Sequence, residues 1–374
     1  MTRRPRVVVL RGHQANPWEL RPWTLLEEEF DVVVPRPLRG DGFDTTTLPL
    51  RRVPVRTVRD LLPAGRVGDL LTRVPGDRYL GLADALQGAD IVHAQELGYW
   101  YTAQAARLRP RMGFRLVANV WETLPFAEAY RNVRTRPYRE RVLRETDLFL
   151  PATERARESL LVEGADPGRM RVCEPGIDVG RFRPVGPTAA DVVVVSAGRL
   201  VWEKGHQDLL RAIALLRRRG DATLPRAVLV GRGPEEQRLR AYADELGIGD
   251  LVELRSFVPY DEMPALYASA SALWLGSMPI WSWEEQFGMV LAEAHASGLP
   301  IITTTSGAIP EVAGPQASYV APGDWVGLAE RLRELTGPRE PHRIRDPERV
   351  QRFSTEAAAE RLASAYRSLL SGSR

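Results

Sequence analysis

One cysteine and one lysine are all that this 374-residue chain contains of either residue. Cys173 alone can close no intrachain disulfide, and it offers no cluster of soft ligands, so a disulfide scaffold and a zinc–cysteine site are both excluded. No Asp-x-Asp pair stands ready for a divalent cation, and no GxxxxGK[ST] loop cradles phosphates in the Walker manner. No run reaches the ~18 consecutive apolar residues of a membrane span. The opening MTRRPRVVVLRGH is apolar only over Val7–Leu10 and does not read as a secretory leader, so a cytoplasmic location is expected.

What is present is arginine, fifty residues of it against 48 acidic ones, for a net charge of +3. Most of that arginine reads as solvated surface. A position that stays lysine in such a chain points to a need for a compact ammonium rather than a planar fork, and that position is Lys204. The stretch Arg107–Arg144 carries ten arginines interleaved with Tyr130 and Tyr138. Two readings stand for it: a solvated helical face, or peripheral contact with anionic lipid or a phosphorylated acceptor at the inner membrane face. No nucleic-acid reading motif accompanies the charge, so nucleic acid is not expected as a partner.

Hydrophobic residues at 44% and charged ones at 26% describe a soluble globular chain, and its length fits two domains. Buried strands are expected at Arg6–Leu10, Asp31–Val34, Asp90–Ala94, Arg115–Val120 and Asp147–Ala152, with helical patterns such as Tyr101–Leu108 and Arg136–Glu145 between them. The proline- and arginine-rich part from Arg36 to Arg78 is left unassigned. A linker is expected near Gly176–Ala190, where glycine and proline interrupt any apolar period. A second alternation follows: strand VVVVSAG, helix Gly205–Arg219, strand RAVLVG, helix Pro234–Leu246, strand DLVEL, helix Asp261–Ala270, strand ALWL, helix Gly288–Ser297 and strand PIITT. Ala358, Leu362, Tyr366 and Leu369 share one face of a final helix, Ser354–Leu370. The expected fold class is α/β, with domains 1–180 and 181–350 each built as a doubly wound parallel sheet and the last helix returning to the first. Ligands bind such sheets beyond the C-terminal strand ends, so a cleft between the domains is expected to hold them.

Three stretches of the second half carry chemistry. In VVVVSAGRLVWEKGHQDLL, Gly198 ends a strand, Arg199 follows it, and Lys204 lies at the mouth of the next helix; two cations there read as a pyrophosphate clamp, with an ordinary surface pair as the alternative. VGRGPEE places Arg232 between Gly231 and Gly233, a turn able to admit a base or ribose, though an ordinary strand-to-helix turn explains it equally. In SWEEQFGMVLAEAHASGLPIITT, Glu285 and Glu293 are eight apart, which on a helix turns them about 80° from each other. They are therefore not one acid–base dyad. Glu285 is expected in a loop facing the cleft and Glu293 on the second turn of the helix, with the N–H groups of Gly288, Met289 and Val290 aimed at a phosphate.

Together these stretches resemble glycosyltransferase family 4, the retaining transferases of GT-B fold. The family's Glu-x7-Glu with its Phe-Gly helix stands as EQFGMVLAEAHASGLP, its GRL-x-x-x-KG as Gly198–Gly205, its LVG-x-G-P as Leu229–Pro234, and its P-N-G-[IV]-D linker as EPGID without the asparagine. The resemblance implies two Rossmann-like domains facing each other across a cleft, a UDP- or GDP-linked sugar as donor, no cofactor, and no metal. It implies that Arg199 and Lys204 neutralise the departing diphosphate, that Glu293 holds the ribose, and that Glu285 with the backbone of Phe287, Gly288, Met289 and Val290 positions sugar and phosphates. The base would lie near Arg232 and the Phe257–Val258 turn. Transfer to a small-molecule, glycan or lipid hydroxyl by front-face attack needs no protein nucleophile.

The first half departs from the family. Where members carry a histidine at a strand end, this chain reads ANVWET, with Trp121 and Glu122. His13, His93 and Glu122 are the candidates to replace it, His93 reading better as a buried structural residue and His13 as facing the cleft. Tyr99–Tyr101, Trp121, Trp281 and Trp283 are candidate sugar platforms. Two readings compete with soluble transfer: a lipid glycosyltransferase at the membrane face, and a nucleotide-sugar-binding protein that does not catalyse. An epimerase or phosphorylase on the same fold is the third; no lysine remains for pyridoxal phosphate if Lys204 serves the donor.

Overall fold

The computed structural model describes residues 3–39, 48–63, 65, 67, 68, 71, 76, 78–127, 136–183, 192–336 and 346–372. The chain divides into two compact units, Met1–Gly176 with Thr355–Arg374, and Ile177–Ser354.

The first unit contains a six-stranded sheet of β1 (Arg6–Val9), β2 (Asp31–Pro37), β3 (Arg51–Val55), β4 (Ile91–Gln95), β5 (Arg115–Val120) and β6 (Leu148–Pro151). The strands are parallel in the order β3-β2-β1-β4-β5-β6. Val7, Val8 and Val9 are all fully buried, as they must be in a parallel strand covered on both faces. β3 falls in the stretch left unassigned from the sequence. It is an edge strand with Pro54 in it, and an edge is where a missing N–H is tolerated.

The helix Thr355–Ser371 completes this unit. It buries Ala358, Ala359, Leu362, Ala363, Ala365 and Tyr366 against β-strand valines and the helix Pro17–Thr24. The Tyr366 hydroxyl accepts from Trp23 Nε1 at 2.9 Å and sits 2.7 Å from His93 Nδ1. His93 is thus a buried structural residue, and burial, with Arg11 nearby, holds it well below its ordinary pKa and neutral. The Tyr366→Phe variant strands both ring nitrogens in the core. It is expected to lose about 1–3 kcal/mol in urea denaturation, with secondary structure unchanged.

The second unit repeats the plan. β7 (Val193–Ala197), β8 (Arg226–Val230), β9 (Val252–Arg255), β10 (Ala272–Leu275), β11 (Ile301–Thr304) and β12 (Ser318–Val320) form a parallel sheet in the order β12-β11-β10-β7-β8-β9. The chain moves outward from β7 to β9, then crosses back to lay β10 against the other side of β7. The boundary between β7 and β10 is thus where the strand order reverses, the point at which sheets of this kind bind ligands beyond their carboxyl ends. Its helices His206–Arg219, Glu236–Glu245, Met263–Ser269 and Met289–Ser297 begin one to two residues inside the expected bounds. Among the described residues, no helix is long and apolar enough to cross a membrane.

Candidate functional site

The site assembles at the β7/β10 switch point. After β7 the chain enters the short 3-10 turn Trp202–Lys204 and then the helix His206–Arg219. After β10 it runs through Gly276–Phe287 to the helix Met289–Ser297. Met278 N–H donates to the Glu203 carbonyl at 2.8 Å, tying one loop to the other. Gly205 lies between them at φ +69°, and a Cβ there would overlap the Gly276 carbonyl. The two loops can approach this closely only with glycine at that point.

That approach brings Lys204 to Glu285, 81 positions apart in sequence. Lys204 Nζ donates to Glu285 Oε2 at 2.6 Å, and Ser277 Oγ donates to the same oxygen at 2.5 Å. The two charged side chains are only 13% and 8% exposed. A tight bridge between Ile280 and Trp283 sets the Trp283 ring 4.8 Å from the ammonium. Glu285 is fixed from behind as well, its carbonyl accepting from Ala308 N–H at 2.8 Å, with Gly307 packed against its backbone. The result is one ammonium held in place by a carboxylate and an aromatic face.

Arg199 leaves the end of β7 with its side chain exposed, and no hydrogen bond or ion pair holds it among the described residues. Its carbonyl is held instead, by His206 Nε2 at 3.1 Å, while Ser196 Oγ lies 2.9 Å from His206 Nδ1. A carbonyl only accepts, so Nε2 carries the proton and Nδ1 accepts from the serine. Burial depresses the His206 pKa to about 4, which keeps that arrangement at neutral pH. Sequence reasoning missed His206. The signal was there, a histidine directly after Lys204-Gly205 at the first position of a helix.

Gly198 is only partly buried, and a Cβ there would meet nothing closer than the Lys204 side chain. Arg232 stands at the end of β8 with its guanidinium 5.0 Å over the ring of Phe257, itself 62% exposed, beside Val258 after β9. An exposed cation–aromatic pair at two adjacent strand ends is a surface on which a planar base can stack. Gly288 caps the helix Met289–Ser297 at φ +77°, and Gly288, Met289 and Val290 are partly exposed at its N-terminus. Phe287 presents only backbone there: its ring is buried edge-on against Phe353.

Glu293 lies on the expected turn of the helix Met289–Ser297. Its carboxylate is 5% exposed and accepts from the Tyr267 hydroxyl at 2.8 Å, with Tyr260 as a second phenol donor. Burial raises its pKa to about 7 despite those donors. It therefore sits with two phenol donors already on its carboxylate, which the sequence did not announce.

In the first unit, His13 packs inward. It is buried, with Nε2 2.9 Å from Thr57 Oγ1, because the 3-10 turn Gly12–Gln14 folds it back after β1. Glu122 is partly buried and accepts from Leu124 N–H at 2.9 Å, so it caps its own turn. Glu96, which the sequence did not flag, ends β4 at φ +57° and accepts from Trp121 N–H at 2.8 Å. Such strain in a non-glycine residue persists only where the surroundings enforce it. Tyr101 is buried in the core, and Trp281 is 65% exposed.

Four arginines of the 107–144 stretch form ion pairs among the described residues. Arg109 and Arg115 pair with Asp147, Arg144 with Glu145, and Arg139 is buried on Glu163. Tyr130, Arg131 and Arg134 lie outside the described residues. Cys173 is buried, and its thiol is pushed up to about 12, which makes it unreactive.

Comparison with known proteins agrees with this architecture. The profile described as Glycosyl transferases group 1 matches residues 182–357, and that described as Glycosyltransferase Family 4 matches residues 25–181. The chain is 31% identical over 279 residues to the MMP alpha-(1->4)-mannosyltransferase of Mycolicibacterium hassiacum, covering 68% of this chain and 66% of that one. It is 31% identical over 254 residues to the D-inositol 3-phosphate glycosyltransferase of Corynebacterium jeikeium, covering 62% and 59%. The matches thus span about three fifths to two thirds of these relatives' length. Among solved structures, Anabaena HepE in complex with UDP and glucose superposes with a TM-score of 0.76 at 18% identity, covering 97% of this chain and 100% of that one.

Proposed function

The chain belongs to glycosyltransferase family 4, with the GT-B fold, and from that premise we propose that it moves a hexosyl group from a nucleoside-diphosphate sugar to a hydroxyl acceptor, with retention and without a metal. The observation that carries this reading is the fixed Lys204 ammonium beside the exposed Arg199 at the β7/β10 switch point. Breaking the sugar–phosphate bond leaves the diphosphate with an added negative charge. The preplaced Lys204, the exposed Arg199 and a helix N-terminus would stabilise that charge where it develops, which is what a divalent ion does in other transferases. The exposed Arg232–Phe257 pair would take the base. That relatives are described as mannosyl and inositol-phosphate glycosyltransferases, and that HepE was solved with UDP and glucose, supports a hexosyl donor.

The test is a thermal-shift panel of UDP-, GDP- and ADP-sugars with and without EDTA. One nucleotide series is expected to raise Tm in proportion to the logarithm of its concentration, unchanged by chelator. NMR of the product anomer then checks retention. A Tm unmoved by every donor, or a shift lost with EDTA, would overturn the corresponding part of the reading.

A further inference from the structure

Behind the turn that carries Lys204, the second unit holds a cavity of about 510 Å³ between the helices His206–Arg219 and Glu236–Glu245. We propose that this cavity is a second carbohydrate site, one that takes a short neutral oligosaccharide. Trp202 and Tyr242 line it, and Trp202 is 52% exposed. The Arg211 guanidinium lies 5.7 Å from both ring centroids. It is fixed there by Asp208 at 2.7 Å and by the Tyr242 hydroxyl at 3.0 Å.

Charge decides the class of ligand. Arg211 and Arg238 are balanced within the lining by Glu235 and Glu245. Arg238 takes Glu235 at 2.7 Å, and Arg211 has a further partner in Asp208, outside the lining, at 2.7 Å. A phosphate or nucleotide would find no uncompensated cation, and burying it beside two carboxylates would be costly. A sugar suits the same walls. Its C–H faces cover aromatic rings, while its hydroxyls donate to carboxylates and accept from guanidinium groups. The volume lies in the range of small-molecule sites and exceeds what one sugar ring fills.

The cavity is also coupled to the donor loop. Trp202 opens the 3-10 turn that ends in Lys204, and Gln207 Nε2 donates to the Trp202 carbonyl at 3.2 Å. A glycan held here rests on the turn that presents the ammonium. The inference does not depend on the donor reading.

Saturation-transfer NMR on the full chain with maltotriose and mannotriose, with UDP and GDP present and absent, tests it. At least one trisaccharide is expected to bind with millimolar Kd, unaffected by nucleotide. Trp202→Ala and Glu245→Ala are each expected to weaken that binding by about tenfold with Tm unchanged. Trp202→Ala alone could act through the Lys204 turn; Glu245→Ala, on the other helix, excludes that. The proposal is overturned if neither trisaccharide binds at about 10 mM. It is equally overturned if both variants bind normally, if Arg199→Ala abolishes binding, or if glucose 6-phosphate outcompetes the neutral sugars. A failed donor panel would leave these outcomes unaffected.

Discussion

The Lys204→Ala variant is expected to lose about three orders of magnitude in turnover with a nucleotide sugar, the scale of removing one preorganised stabiliser of a leaving charge. It is also expected to lose stability, and the structure says why the two effects must be separated. Lys204 and Glu285 are a nearly buried pair, and deleting one member strands the other. That costs about 3–5 kcal/mol. Ser277 still donates to Glu285, which offsets part of it. The double variant Lys204→Ala/Glu285→Gln removes the stranded charge, and its Tm should return most of the way to wild type. Its turnover should not. Assays of both variants at a temperature where each is folded check this. Recovery of turnover with stability would show that Lys204 only braces the loop, and the leaving-group role would be lost with it.

How much of this was open to reading from the sequence depends on distance along the chain. Gly198–Gly205, Leu229–Pro234 and Glu285–Glu293 are contiguous stretches at strand ends, and a doubly wound sheet brings all its strand ends to one edge, so their grouping followed from topology. The division of labour did not follow. Glu285 was expected to address the sugar, yet its carboxylate meets Lys204 across 81 positions, a contact made only because Gly205 and Gly276 pack backbone to backbone. Trp283 was singled out as an aromatic near the donor motif, but its place over the ammonium depends on a four-residue turn that no periodicity announces. β3 was hidden by Pro54 and two arginines, which mark an edge strand as loop. His13 read as facing a cleft because it follows a strand. A single 3-10 turn was enough to bury it.

Glu293 gives the second large expectation, in pH. Its folded pKa of about 7 lies above the 4.5 of an ordinary glutamate, so between those values the folded chain binds more protons than the unfolded one. Its contribution to stability is fully present below pH 4.5 and is lost as pH rises through 7, about 3 kcal/mol in all. His206 runs the other way. With a folded pKa of about 4 against an ordinary 6.5, its contribution is full above pH 6.5 and is lost as pH falls toward 4. Between about pH 4.5 and 6.5 the two slopes oppose each other and nearly cancel. The Glu293→Gln variant removes one of them, so its stability should climb with pH across that window where wild type is flatter, as read by urea midpoints. Donor binding distinguishes function from packing. If Glu293 holds the ribose, its ionised carboxylate is the form that grips the diol, and wild-type affinity for the nucleotide sugar should rise as pH passes from 6 to 8. Glu293→Gln should match wild type near pH 6 and fall about tenfold behind it at pH 8. If the two proteins bind donor equally at pH 8, Glu293 serves only the hydroxyls of Tyr260 and Tyr267, and another group holds the ribose.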